Sequence, residues 1–223
     1  MFKTTALLTA VASLSLAGSA SALPIDITGQ VDNPSFESGT TAGASIPTDW
    51  SRSGSGVSGL RTGVAGITPT DLTRQVWVNK GATLYQETDE TIVDGTEYTF
   101  TIDFNPDQLN FGSGGNDVET VFVRLYGSSA GFGTAFNETQ KLGPTGTVTS
   151  VVNGQQWDTV TVSFTATGAE AGQKLGIAFG VTGPTGIQSE FDNVQLSANP
   201  IPEPSSLALL GLGGLLIGRR RRG

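Results

Sequence analysis

The sequence predicts an all-β protein, a two-sheet antiparallel sandwich of the jelly-roll kind. Two observations carry this expectation. Seven segments between Gln75 and Ser197 alternate, or nearly alternate, apolar and polar residues, the period of a half-buried strand. Connectors such as "NPDQLNFGSGGND" and "GPTG" separate them, and no long stretch carries the 3.6-residue spacing of an amphipathic helix.

The segments follow in order. "QVWVN" (Gln75 to Asn79), "TLYQET" (Thr83 to Thr88), "EYTFTIDF" (Glu97 to Phe104) and "ETVFVRLYG" (Glu119 to Gly127) come first. "QWDTVTVSFTAT" (Gln156 to Thr167), "KLGIAFGV" (Lys174 to Val181) and "SEFDNVQLS" (Ser189 to Ser197) complete the set. In the fifth, Val160, Val162, Phe164 and Ala166 share one face. "GPTG" occurs at Gly143 to Gly146 and again at Gly183 to Gly186, and both read as turns because their surroundings do not repeat.

Two flanking segments differ in kind, so the 223 residues divide into 1–22, 23–199 and 200–223. At the start, Lys3 precedes the apolar "ALLTAVASLSLAG", and "ASA" at Ala20 to Ala22 supplies a cleavage site, the pattern of a secretory signal helix. Export leaves Leu23 as the mature N-terminus. At the other end, Pro202-Glu203-Pro204 leads into a 14-residue hydrophobic run, Ser205 to Gly218, closed by Arg219, Arg220, Arg221 and Arg222. As a helix this run spans about 21 Å, short of a ~30 Å hydrocarbon core. The arginines set its C-terminal end at the cytoplasmic face. A lasting anchor, a buried helix and an address read by another protein all fit such a run.

Composition narrows the chemistry. There is no cysteine and no histidine, which excludes disulfides, thiolates and imidazole bases or metal ligands. Without Lys3 and the four terminal arginines, 7 of the 12 basic residues remain; without Glu203, 19 of the 20 acidic ones do. The central region is thus near −12, a poor match for nucleic acid and a better one for calcium. No catalytic frame surrounds any carboxylate pair, so no enzymatic activity is expected.

The tail resembles the PEP-CTERM sorting signal of exopolysaccharide-producing bacteria, on its Pro-Glu-Pro motif, hydrophobic helix and terminal arginines. That likeness implies recognition by exosortase, a membrane transpeptidase. It also implies transient insertion in the inner membrane, then release to the outer surface or extracellular matrix. A second likeness rests on "NPSFESG" (Asn33 to Gly39), "IPTDW" (Ile46 to Trp50) and "FDNVQLS" (Phe191 to Ser197). These are similar to the opening and closing segments of galactose-binding-like jelly rolls, the fold of many carbohydrate-binding modules. The resemblance implies a structural calcium (Ca2+) held by Glu37 and Asp192 with backbone carbonyls. It also implies polysaccharide binding by aromatic rings outside the core. Phe111, Phe132 and Phe136, in long loops, and Trp77, whose face the pattern leaves open, are the candidates; Trp50 and Trp157 read as core. The alternative is a passive matrix protein without a carbohydrate ligand.

Overall fold

The computed structural model describes residues 23–63, 67–106, 118–131, 138–151, 156–182 and 188–201. Eleven strands are assigned among them. They are β1 (Ile25–Asp26), β2 (Ser51–Gly54), β3 (Ser58–Arg61), β4 (Gln75–Asn79), β5 (Ala82–Thr91) and β6 (Thr96–Pro106). Then come β7 (Val118–Ser128), β8 (Lys141–Val151), β9 (Asp158–Thr165), β10 (Lys174–Thr182) and β11 (Gln188–Pro200). Among the described residues, two three-residue 3-10 turns, Thr28–Gln30 and Glu138–Gln140, are the helical structure. The expected flanking helices fall on residues outside the description, and no described helix is long and apolar enough to cross a membrane.

The strands form two antiparallel sheets. The first has the order β3-β4-β11-β6-β9, with β1 on the last part of β11; the second is β2-β5-β10-β7-β8. The expected all-β, two-sheet architecture is therefore present. Alternation explains it. Tyr98, Phe100, Ile102 and Phe104 of β6 stand opposite Phe164, Val162, Val160 and Asp158 of β9, so the predicted face of β9 covers the core. In the second sheet Leu175, Ile177, Phe179 and Val181 of β10 point inward with Val121, Val123 and Leu125 of β7. Aligned stripes from two sheets interdigitate into one core, which is what burial of both faces requires.

The opening motifs lock that core. Phe36 and Trp50 pack with centroids 5.3 Å apart, and both meet Phe179 edge-on, at 5.9 and 5.3 Å. Phe179 in turn lies 4.7 Å from Phe191 of the closing strand. Trp50 is core, as expected. Trp157 is not: it is half-buried, and its indole N–H donates to the Thr68 carbonyl at 2.7 Å, tying a loop down.

One expected turn is absent. Gly143 to Gly146 lies inside β8, where the pairing with β7 shifts register between Val123 and Leu125. The strand is an edge, so Pro144 removes no ladder bond that a neighbour needs, and the bulge absorbs the extra residues. The second copy lies outside the described residues.

Candidate functional site

The outer face of the second sheet holds the chemistry. β10 alternates strictly: its large residues fill the core, and Gly176, Ala178 and Gly180 face outward. The neighbouring strands are built the other way. Opposite these positions, β5 presents Thr83, Tyr85 and Glu87, and β7 presents Phe122, Arg124 and Tyr126. Three rows result: Thr83, Gly180, Phe122; Tyr85, Ala178, Arg124; and Glu87, Gly176, Tyr126. Strands lie about 4.8 Å apart, so the two walls stand roughly 10 Å apart over a floor of small residues. This is a furrow in side-chain height along the central strand, and it is closed to solvent: its floor of Gly176, Ala178 and Gly180 is buried, as are Tyr85, Phe122 and Tyr126.

Its β7 wall is continuous. The Arg124 guanidinium sits 4.4 Å from the Phe122 ring centroid, and its Nη1 donates to the Tyr126 hydroxyl at 3.4 Å. Tyr85, Ala178 and Tyr126 form a buried cluster of their own, separate from the main core. Three aromatic rings thus stand on a face that the core does not use. Aromatic walls with a guanidinium and a carboxylate among them suit a ligand with flat apolar faces and a polar rim.

The predicted calcium ligands meet elsewhere, on one loop. Asp192 Oδ2 accepts from the Asp71 amide at 2.8 Å and the Thr70 hydroxyl at 3.3 Å, and Oδ1 from the Asn193 amide at 2.8 Å. Glu37 Oε1 accepts from the amides of Thr73 and Arg74 at 2.8 and 2.6 Å, and Oε2 from the Thr73 hydroxyl at 2.6 Å. Both carboxylates therefore hold the segment 70–74. Burial pushes the Asp192 carboxyl up to about 6, against the pull of the surrounding amides and hydroxyl. For Glu37, burial acts upward too, but the Thr73 hydroxyl, the two amides and the Arg74 charge together hold it below the usual range. Among the described residues, no three acidic side chains gather into a metal-binding group.

A buried ion pair occupies the outer face of the first sheet. Glu190 is wholly buried and accepts from Arg61 Nε at 2.9 Å and Gln75 Nε2 at 2.8 Å through Oε2. Its Oε1 meets Arg61 Nη2 and accepts from Gln188 Nε2 at 3.2 Å. Trp77 shares this face and is half-buried; its indole lies over Gly59, where an added Cβ would come within 2.6 Å of the ring. Trp77 is therefore on the opposite sheet from the furrow. Phe111, Phe132 and Phe136 lie outside the described residues, as do Pro202, Glu203, Pro204 and Arg219 to Arg222.

The furrow residues Tyr85, Phe122, Arg124, Tyr126, Gly176, Ala178 and Gly180 were not anticipated as a site. The signal was present. In "VFVRLYG" the face away from Val121, Val123 and Leu125 carries two aromatic residues, Phe122 and Tyr126, beside Arg124, which a strand buried on one side has no reason to bear, and "GIAFGV" alternates small with large.

A two-sheet antiparallel sandwich carrying a furrow on one outer face is the class of protein defined here. Residues 28–197 match the HpiC1-like family, described as HpiC1 cyclase, and the chain belongs to that family. Residues 200–222 match the PEP-CTERM protein-sorting motif. That motif implies export, exosortase processing and transient membrane anchoring before release at the surface. Among solved structures, the chain is similar to a Stig cyclase, Fisc, from Fischerella sp. TAU in complex with (3Z)-3-(1-methyl-2-pyrrolidinylidene)-3H-indole. The identity is 20%, over 80% of this chain and 99% of that one, with a TM-score of 0.59. It is also similar to an apo cyclase from Fischerella sp., at 18% identity over 82% and 98%, with a TM-score of 0.56. A carbohydrate-binding module, TmCBM61 in complex with beta-1,4-galactotriose, aligns at 16% identity over 75% and 96%, with a TM-score of 0.48. At these identities the cyclase likenesses establish the fold. No curated protein matches the chain.

Proposed function

We propose that the exported domain is a jelly roll that binds a saccharide of the exopolysaccharide matrix in the furrow, without catalysis. The observation that carries this reading is the alternation on β10, which sets a small-residue floor between aromatic walls. Sugar rings stack their apolar faces on such rings while polar groups at the rim meet their hydroxyls. The test is retention of the mature secreted protein on exopolysaccharide purified from the producing cells. Ala178→Leu, which fills the floor, is expected to abolish retention; because Ala178 is fully buried against Tyr85 and Tyr126, the melting temperature of the variant is read alongside to separate loss of the site from overpacking of the cluster. Equal retention of wild type and variant moves binding off this face. No retention by wild type favours the passive matrix reading.

A second reading follows from the family match to cyclases. An enclosed aromatic furrow also suits a small planar substrate, and Glu87 is the carboxylate on that face. Saturable binding of 4-(1H-indol-3-yl)butan-2-one, the compound present in a related cyclase structure, with its conversion to a new product, would establish this reading in place of the first.

The calcium implied by resemblance belongs to the same proposal. The donors around Asp192 (the Thr70 hydroxyl and the Asp71 and Asn193 amides) are all neutral, so its buried charge is met by dipoles alone. Asp192 Oδ1 and Glu37 Oε2 each accept a single hydrogen bond and keep capacity for an ion. A calcium ion there would tie the opening segment to the closing strand.

A further inference from the structure

We infer that the domain carries a second ligand site, an open polar cleft on the outer face of the first sheet, which takes a saccharide bearing protonated amines. The cleft lies on the sheet opposite the furrow, so the inference stands apart from the reading above.

The cleft encloses about 540 Å³, within the roughly 300–1,000 Å³ usual for small-molecule sites. Its floor is the outer face of β6 and β11. Register sets Asp26, Ser197 and Thr99 in one row, with Gln195 and Thr101 in the next. Its wall is built on the stretch of β11 between the pairings with β4 and β1. There the Ile27 amide donates to the Leu196 carbonyl at 2.9 Å, and the Val194 amide to the Pro34 carbonyl at 3.1 Å. Asp71 completes the wall, its amide bonded to Asp192 and its Oδ2 accepting from the Ser35 hydroxyl. Unlike the furrow, this cleft meets solvent. Asp26 and Gln195 are exposed, and Asp71, Thr99, Thr101 and Ser197 are half-buried.

The lining defines what can enter. The floor side chains are short hydroxyls and amides, which leave the space above the sheet open. Two carboxylates, Asp26 and Asp71, line the cleft, and no lysine or arginine does. A cleft lined by one sign of charge concentrates ligands of the other. The Thr28 amide, and then its hydroxyl, hold the Asp26 carboxyl below its usual range, so it is ionised at neutral pH. Asp71 stands at the Asp192 end and Asp26 at the Ser197 end. From Asn193 to Ser197 the strand advances at most about 13 Å at ~3.3 Å per residue, which is room for a short oligosaccharide.

The free valences are acceptors. Asp26 Oδ1 accepts from the Thr28 amide and Asp71 Oδ2 from Ser35, while Gln195 Nε2 donates to Asn193 Oδ1. Among the described residues, Asp26 Oδ2, Asp71 Oδ1 and Gln195 Oε1 accept no hydrogen bond. A ligand seated here must therefore donate, and must carry positive charge. Ammonium groups among hydroxyls meet both demands, and N-acetylation removes the charge.

The experiment is calorimetric titration of the mature protein with a glucosamine tetramer at pH 6 and low salt, with chelator present. The N-acetylated tetramer and tetralysine are the comparison ligands. The glucosamine tetramer is expected to bind at least about tenfold more tightly than either, as the loss of a hydrogen bond to a charged group implies. Asp26→Asn and Asp71→Asn keep the hydrogen bonds that the carboxylates accept, and each should weaken binding several-fold. Equal affinity for the N-acetylated tetramer means that the charge is not read. Equal affinity for tetralysine means an acidic surface open to any polycation, basic peptides included. Unchanged affinity in both variants places binding elsewhere. Each of these results, or no heat with the glucosamine tetramer, overturns the inference, and none of them bears on the furrow.

Discussion

Arg61 reaches across β4 to Glu190, so the edge strand of the first sheet is fastened to its centre through a fully buried carboxylate. Gln75, on the intervening strand, donates to the same oxygen. Removing the cation strands a buried charge, which costs far more than the pair contributes. Arg61→Met is expected to destabilise the domain by about 3–5 kcal/mol in urea unfolding. Adding Glu190→Gln to that variant should recover most of the loss. A single variant within 1 kcal/mol of wild type, the range of an exposed pair, contradicts this account.

Phe179 is the ring on which both opening motifs and the closing strand converge. Truncating a buried phenylalanine loses its transfer energy and leaves a cavity. Phe179→Ala should cost about 3–5 kcal/mol, read as a lowered midpoint of chemical denaturation at unchanged slope. A loss below about 1 kcal/mol, far under the usual cost of truncating a buried phenylalanine to alanine, would mean the aromatic cluster is peripheral.

Asp192 sets a pH dependence of defined sign. Its carboxyl titrates near 6 when folded, against an ordinary value of 3.8, so between these pH values the folded state holds a proton that the unfolded chain has released. Stability is therefore gained as pH falls through 6. Glu37, Asp26 and Glu170 are held below their ordinary values and act only at lower pH. With chelator present, the melting temperature should rise from pH 7 to pH 5, and Asp192→Asn should flatten that rise. A wild-type curve that falls over this interval sinks the assignment.

The calcium proposed for Glu37 and Asp192 would compete with the proton at Asp192. The ion binds the ionised carboxylate, so its stabilisation of the wild type should be largest at pH 7 and shrink towards pH 5. Scanning calorimetry with calcium and with chelator reads this directly. Identical melting temperatures at pH 7, with a calorimetric titration that shows no heat, remove calcium from Glu37 and Asp192.

Processing has a mass signature. In an exosortase-bearing host, the mature protein should begin at Leu23 and lack Arg219 to Arg222. An intact mass that retains the four arginines is incompatible with sorting through the tail.

Period-two alternation made most of the fold legible, because burying one face of a strand leaves its trace in composition. It worked for β6, β9 and β11, and it identified Trp50 as core. It failed at Gly143 to Gly146, where glycine and proline suggested a turn although an edge strand tolerates both through a bulge. The candidate site was harder to read for a physical reason. Attention to aromatics in loops pointed to Phe111, Phe132 and Phe136, whereas the described furrow is built from strand residues whose partners are set by register. No local pattern says that Gly176 of β10 lies between Glu87 and Tyr126; only the pairing of three distant strands does. Trp77 was ambiguous in the sequence for the same cause, and register assigns it to the opposite sheet.

The closing strand lies between β4 and β6 and is hydrogen-bonded as far as Ile201, whose amide donates to the Gly95 carbonyl at 2.8 Å. The centre of the first sheet is thus the last part of the domain to be synthesised. During export the earlier strands cross the membrane without their keystone, and the sheet closes only when residue 201 has emerged. The Pro-Glu-Pro triplet of the sorting motif begins at the very next residue. Trimming from Pro202 onward leaves every strand whole, while a cut a few residues earlier would take away the pairing of Ala198 to Pro200 with β6. The matched motif starts at residue 200, where β11 ends, so cargo and label share their last and first residues, and completion of the fold coincides with arrival of the label.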